Sequence, residues 1–239
     1  MHRTCFFALF LIIILTWSCQ KNKSVKPEQI KVNVVGAMKD AMWKGELFPK
    51  VLLDTISDKT GLYGLGPMSF MRGELLVLNG KTYLSYIDSK DSLVVDEKNG
   101  LSAPFFVYAN ASSWDTTAIP NTIKNIKDIE TYVASHIKDS IPFLFKLRGS
   151  IAKAKIHVQN LPEGTKVSSP KEAHEGQRTF LIKDKDVEIV GFYSKNHQGI
   201  FTHHDAYTHM HLITADGKFM GHLDEITLNR MNLLLPKTD

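Results

Sequence analysis

Thr208 to His222 carries three histidines around an Asp216-Gly217 pair, and no other stretch constrains this chain as tightly. Asp-Gly is a preferred two-residue β-hairpin turn, because both central residues accept positive φ. With those two as the turn, the register follows. Ala215 faces Lys218, Thr214 faces Phe219, Ile213 faces Met220, Leu212 faces Gly221, and His211 faces His222. Residues two apart on a strand share a face, so His209 joins them. Directly opposed residues place their Cβ atoms about 4.5–5.5 Å apart, and three imidazoles converge on one side of a ribbon. An HxH pair alone usually marks a polar strand face; the third histidine at the opposed position is what singles this one out. Neutral imidazole suits zinc, and three protein nitrogens with one position open are the pattern of a catalytic site. Nickel, cobalt or iron accept the same ligands. Asp224 falls opposite His209 in this register, where it either orients an imidazole or is an ordinary exposed strand residue. His203 and His204, in the loop ending at Tyr207, read as solvent-facing loop residues, with support of the ligating imidazoles as the alternative.

Only nitrogen and oxygen ligands are expected, since the two cysteines, Cys5 and Cys19, lie at the start of the chain. That start reads as a leader. His2 and Arg3 precede an apolar run from Phe6 to Leu15, shorter than the roughly 20 residues a membrane-spanning helix needs. Ser18-Cys19 is where a lipoprotein signal is cleaved and acylated, so 1–19 is expected to be a lipoprotein signal peptide. Residues 20–30 then form a polar tether, and the domain is exported and anchored to the cell envelope at Cys19. A plain signal peptide or an uncleaved anchor are the alternatives. A net charge of +4, with no basic cluster interleaved with aromatics, argues against nucleic acid.

The rest reads as strand-rich. Lys31 to Gly36 alternates like a strand. Leu47 to Ile56 has the apolar spacing of a helix. Glu74 to Ile87 reads as a hairpin turning at Asn79-Gly80, a pair suited to a type I′ turn. Ser92 to Val95 and Pro104 to Tyr108 read as short strands. Ile123, Ile126, Ile129, Val133 and Ile137 recur at helical spacing, and Pro142 stops that helix. From Phe143 onward strand follows strand. A division near 138–142 separates an N-terminal region, 31–140, from a C-terminal β region, 141–239.

With these blocks in place, the histidine hairpin resembles the signature of the acetolactate decarboxylase family. Other blocks match in order: Gly61-Leu62-Tyr63-Gly64-Leu65-Gly66, then Gly73-Glu74-Leu75, Ala103-Pro104-Phe105-Phe106, Ile189-Val190-Gly191-Phe192, and Met231-Asn232-Leu233-Leu234-Leu235-Pro236. The resemblance implies an α+β, predominantly β fold. An N-terminal mixed sheet with a helix would precede a C-terminal antiparallel, barrel-like domain carrying the zinc site, often as a homodimer. It also implies that Glu74 reaches the metal centre. The family's Arg-Ile-Asp-Gly segment appears here as Lys146-Leu147-Arg148-Gly149. Lysine keeps the charge but loses the planar fork that grips a carboxylate, and Arg148 shares its strand face. The family's C-terminal tail glutamate finds no counterpart in the sequence.

The implied activity is zinc-dependent decarboxylation of 2-acetolactate to acetoin, with Lys146 or Arg148 on the carboxylate and Glu74 as the acid–base group. No organic cofactor is implied. Two other readings fit the same residues. One is a metal-dependent lyase or isomerase acting on another small hydroxy-keto acid. The other is a non-catalytic envelope lipoprotein that binds a metal or small ligand.

Overall fold

A computed structural model describes residues 30–137 and 141–237 of the chain. The leader, nearly all of the tether and part of the 138–142 segment lie outside the described residues. The N-terminal elements are β1 (Asn33–Val35), α1 (Met38–Lys44), β2 (Val51–Leu52), β3 (Leu62–Pro67), β4 (Glu74–Leu78), β5 (Lys81–Ile87), β6 (Leu93–Glu97), β7 (Ser102–Ala103) and β8 (Phe106–Asn110). Six of these strands form one sheet, ordered β1-β8-β3-β4-β5-β6. Every pairing in it is antiparallel, so the sheet is not mixed as expected. The short links explain this: two residues join β4 to β5, whereas parallel neighbours need a long crossover. In that link both Asn79 (φ 49°) and Gly80 (φ 85°) are left-handed, as a type I′ turn requires.

The helix expected over Leu47 to Ile56 does not form. Pro49 interrupts it by removing a backbone donor, and the segment becomes β2 followed by a single 3-10 turn, Leu53–Thr55. A helix forms earlier instead. α1 buries Met38, Ala41 and Met42 and ends at Gly45, whose φ of 66° caps it.

The C-terminal elements are β9 (Trp114–Ala118), α2 (Ile126–Ser135), β10 (Phe143–Val158), α3 (Pro170–Ala173), β11 (Arg178–Tyr193), β12 (Thr208–Thr214) and β13 (Met220–Pro236). The helix at Ile126 starts on a capping box, with Asn125 and Asp128 each accepting the other's backbone N–H. The long strand β10 pairs with β11 on one side and β13 on the other, so β10 to β13 close into a hydrogen-bonded ring. β9 extends it along β13, and α2 packs Ile129 and Val133 into its core. Both elements lie on the N-terminal side of the expected 140/141 division yet belong with the later strands. Among the described residues, no helix is long and apolar enough to cross a membrane.

Two cores position the site. Inside the ring, Phe145, Leu147, Ile151, Ile189, Met210, Leu212 and Leu223 pack together. Outside it, Leu144, Val190, Phe192, Ile213 and Met220 pack against Tyr63, Leu65, Leu76 and Val107 of the N-terminal sheet. Each such fully buried side chain contributes roughly 1.5–3 kcal/mol. The second interface holds the histidines.

Candidate metal centre

Alternation on β12 decides which way its side chains face. Met210 and Leu212 enter the ring, so His209 and His211 point outward with Ile213 toward the N-terminal sheet. Across the ladder, His211 pairs with His222, Leu212 with Gly221 and Ile213 with Met220, as the sequence leads one to expect. The turn differs. Gly217 (φ 67°) is left-handed but Asp216 is not, and the Gly217 N–H donates to the Thr214 carbonyl at 2.8 Å. Asp216 is held by the Thr214 hydroxyl, 2.7 Å from its Oδ1, and by Lys185, 2.9 Å from its Oδ2. The last backbone bond before the loop is Thr214 N–H to the Phe219 carbonyl, so Ala215 and Lys218 are loop residues and not a pair. Lengthening the loop by one residue on each side leaves the register intact.

His209, His211 and His222 each present a ligand atom within 4.8 Å of the others, and they are 3%, 0% and 8% exposed. His209 Nδ1 and both ring nitrogens of His211 are buried without a hydrogen-bond partner. Buried polar atoms are normally paired. Buried imidazole nitrogens without partners, on three rings that each bring one ligand atom within 4.8 Å of the others, are what a divalent cation satisfies, so the residues fit a metal. Glu74 opens β4 on the facing sheet and is 2% exposed. Its Oε2 lies 3.6 Å from His211 Nε2, and its Oε1 accepts the Gln159 backbone N–H at 3.3 Å. The N-terminal sheet thus delivers a carboxylate to the histidine cluster.

Burial sets the protonation of this cluster in the metal-free chain. Desolvation, then repulsion from His157, pulls His211 down to about 3. Desolvation holds His209 and His222 well below the ordinary imidazole value, with neighbouring histidines adding to the effect. All three are neutral at pH 7, as metal ligation requires. The same burial raises Glu74 well above the ordinary carboxylate range. Stability follows from the histidine shifts. Below about pH 6.5 the unfolded chain protonates these imidazoles while the folded chain does not, so stability falls with pH toward 3. Metal-free protein taken from about pH 7.5 to about pH 5 is expected to lose on the order of 2 kcal/mol through His211, with His209 and His222 adding in the same direction. Urea denaturation at the two pH values measures this, and equal midpoints would contradict it.

A fourth imidazole completes the cluster. His157 pairs with His222 across β10 and β13, and the two rings stack at 4.6 Å. Gly221 permits that approach, since a Cβ there would lie 2.5 Å from the His157 carbonyl oxygen. Asp224 does not face His209 as expected. Lys155 pairs with Glu225 and Ile156 with Leu223, leaving Asp224 as the extra residue of a bulge. Its Oδ1 lies 2.7 Å from His157 Nδ1, so it does orient an imidazole, though not one of the three. His203 is not a solvent-facing loop residue either. Its ring lies 5.0 Å from that of His222, while His204 is exposed. His157, His203, His209 and His222 line a cavity together with Glu74, Gln159, His174, Met38, Met42, Met71 and Phe105.

The structure does not bring Lys146 and Arg148 to this cavity. Lys146 lies in the cross-strand row Lys146–Val190–His211–His222, two strands or about 10 Å from His211. Its ammonium donates to Glu188 at 3.1 Å and to the Tyr63 hydroxyl at 3.3 Å, over the Trp114 ring. Arg148 donates to the same carboxylate at 2.8 Å from a largely exposed side chain. Together they pin β10 and β11 to Tyr63 and Trp114.

Comparison with known proteins agrees with this architecture. A family model described as alpha-acetolactate decarboxylase matches residues 30–239. The chain belongs to the alpha-acetolactate decarboxylase family. Among curated members, the alpha-acetolactate decarboxylase of Lactococcus lactis subsp. cremoris (strain MG1363) is 24% identical over 193 residues, covering 80% of this chain and 76% of that protein. The crystal structure of alpha-acetolactate decarboxylase from Bacillus subtilis strain 168 superposes with a TM-score of 0.71 at 22% identity, covering 86% and 85% of the two chains. A Staphylococcus aureus protein of unknown function, described as similar to alpha-acetolactate decarboxylase, gives 0.72 at 16% identity over 85% and 84%. These structural likenesses concern the fold. Within this acetolactate decarboxylase fold, the sequence reading did not single out His157, Gln159, His174 or the methionines of the cavity, and the pairing that sets His157 opposite His222 appears only in the structure.

Proposed function

We propose that this chain is a zinc-dependent carboxy-lyase that converts 2-acetolactate to acetoin and carbon dioxide. The observation that carries the reading is the cluster of His209, His211 and His222 with Glu74, beside a cavity lined by His209, His222, Glu74, Met38, Met42, Met71 and Phe105. A divalent cation held by the three imidazoles supplies Lewis-acid stabilisation of negative charge developing on substrate oxygens. The chain's own residues do the rest. The apolar side chains of the cavity strip water from a carboxylate lying against them, which favours its departure as neutral carbon dioxide. Glu74 is the one carboxyl among the described residues that line the cavity, and it would hold the proton that must reach carbon afterwards. About 20 Å³ is open in the cavity, room for one water or one ion, so substrate enters by displacing the methionine side chains. Three rotatable bonds in each make that a low-cost movement.

The test is acetoin formation from racemic acetolactate by the purified, zinc-loaded protein. Metal-free protein runs beside it, because acetolactate also decarboxylates spontaneously. Zinc-dependent acetoin well above that background is expected; background levels from protein that retains its metal would sink the reading. One observation favours a second reading, a metal-dependent lyase or isomerase acting on another small hydroxy-keto acid: Lys146 and Arg148, which stand where the family's Arg-Ile-Asp-Gly segment is matched, are both paired with Glu188. Product analysis separates the two. The apolar leader and Cys19 support a further proposal, that the domain is exported and tethered to the envelope by an acylated cysteine. Metabolic labelling with a palmitate analogue, lost in Cys19→Ser, tests it. The family resemblance supports a homodimer, read out by sedimentation.

A further inference from the structure

The decarboxylase reading uses His209, His211 and His222 and leaves three other histidines of the cavity, His157, His174 and His203, without a task. One of them belongs to a second group of metal-ligating side chains. His157 pairs with His222 across β10 and β13. His222 and Asp224, two apart on β13, share a strand face. A ligand atom from each of His157, His222 and Asp224 lies within 4.8 Å of the other two. Two imidazole nitrogens and a carboxylate oxygen are a donor set that zinc and its first-row neighbours accept. Among the described residues, Asp224 has no lysine or arginine as ion-pair partner, while the next residue, Glu225, takes Lys155 at 3.1 Å.

Depth separates the two groups. The Asp224 side chain is 25% exposed. His222 belongs to both groups and is 8% exposed, and His209 and His211 lie deeper, at 3% and 0%. A dication arriving from water therefore meets a charged carboxylate before it meets the buried neutral imidazoles, and the carboxylate raises its local concentration. We propose that His157, His222 and Asp224 form a second divalent-cation position, a loading station from which the ion passes inward to His209 and His211. The inference rests on reading His209, His211 and His222 as the metal centre. Because His222 is common to both positions, the ion exchanges His157 and Asp224 for His209 and His211 without being released. The His203 ring, 5.0 Å from that of His222 and 6.5 Å from that of His209, stands beside this path. A station on the path speeds entry and exit alike and leaves the final affinity unchanged. A residue that only orients a ligand changes the affinity instead.

Asp224→Asn is the variant that separates these roles. Asparagine keeps the size and, having both a donor and an acceptor, pairs with His157 in either ring form, but it lacks the charge. Metal-free protein is mixed rapidly with cobalt(II), whose visible absorption reports filling of the imidazole site, and release is followed into excess chelator. Loading and release are both expected to slow about tenfold in Asp224→Asn, the low end of what losing an outer partner of a metal costs. One cobalt per chain should still bind, with the parent's affinity. His157→Gln is expected to act in the same sense, and decides the matter if Asp224→Asn does not fold. The outer position is also read directly in His211→Ala, where cobalt at high concentration should bind weakly and be lost on dialysis; adding Asp224→Asn should remove that binding. Unchanged rates in the variants, faster release with unchanged loading, or weak binding in His211→Ala that Asp224→Asn leaves intact overturns the station. One cobalt per chain and zinc-dependent acetoin alongside any of these results leaves the metal centre and the decarboxylase reading standing. Wild-type protein that takes up no cobalt overturns the metal centre and the station together.

Discussion

Replacing His211 by alanine is expected to abolish metal binding and turnover together while making the metal-free chain less sensitive to acid. The two effects share one cause. His211 is fully buried, its Nε2 lies 3.6 Å from Glu74 Oε2, and desolvation holds it neutral down to about pH 3. Such a group contributes little to the fold except a penalty on acidification, because the unfolded chain takes up its proton near pH 6.5 and the folded chain does not. Alanine removes that proton-uptake difference, so the fall in stability between about pH 7.5 and pH 5 should shrink by on the order of 2 kcal/mol. Loss of one of three imidazoles should at the same time weaken metal affinity by more than about 100-fold, beyond what loss of an outer-shell partner costs. Metal analysis after dialysis, acetoin formation, and urea denaturation at the two pH values read these outcomes. Retention of full turnover in metal-free His211→Ala would sink the mechanism. A His211→Ala variant as acid-labile as its parent would show that His211 is not the buried neutral group described here.

Much of the site is legible in the sequence because β12 and the start of β13 are regular. Period-two alternation puts His209 and His211 on one face, and pairing by hydrogen-bond register brings His222 opposite His211. Even the misread turn did no harm, since extending the loop by one residue on each side preserves every pair beyond it. What escaped lies where alternation breaks. On β10, Phe145 and Leu147 face the inner core, but so do Ala154 and Ile156, so an irregularity near Ala152 exchanges the faces. A strict alternation carried along from Lys146 would send His157 into the ring; the slip turns it outward beside His222. The bulge on β13 does the same to Asp224. The cavity methionines were hidden for another reason. Met38 and Met42 come from α1, Met71 from a turn in which Phe70 and Met71 are both left-handed, at φ 63° and 53°, and Phe105 from just before β8. Only the tertiary fold brings these pieces together. Glu74 was singled out by resemblance alone, and nothing local distinguishes it from an exposed strand residue. Lys146 and Arg148 were read correctly as sharing a strand face, but Glu188 on the neighbouring strand claims both.

Glu74→Gln is expected to move stability and activity in opposite directions. A buried carboxyl whose native pKa is raised is destabilising above its unfolded value of about 4.5, because the unfolded chain ionises freely and the folded chain does not. The penalty grows as pH rises from there toward the folded value. Glutamine keeps the shape and has no charge to desolvate. Its amide oxygen can still accept the Gln159 backbone N–H, and its NH₂ can donate to His211 Nε2, now 3.6 Å from Glu74 Oε2 and without a hydrogen-bond partner. The metal-free variant should therefore unfold at a higher temperature than its parent at neutral pH. Turnover should fall, since glutamine can neither hold nor release the proton that must reach carbon, by the roughly 10²–10⁴-fold that general acid–base groups contribute. A rise in thermal midpoint with a fall in kcat is the mark of a residue kept for chemistry at the expense of the fold. Thermal denaturation of metal-free protein and acetoin kinetics of zinc-loaded protein supply the two readings. If both fall together, Glu74 is part of the scaffold that holds the two sheets, and the proton must come from elsewhere in the cavity.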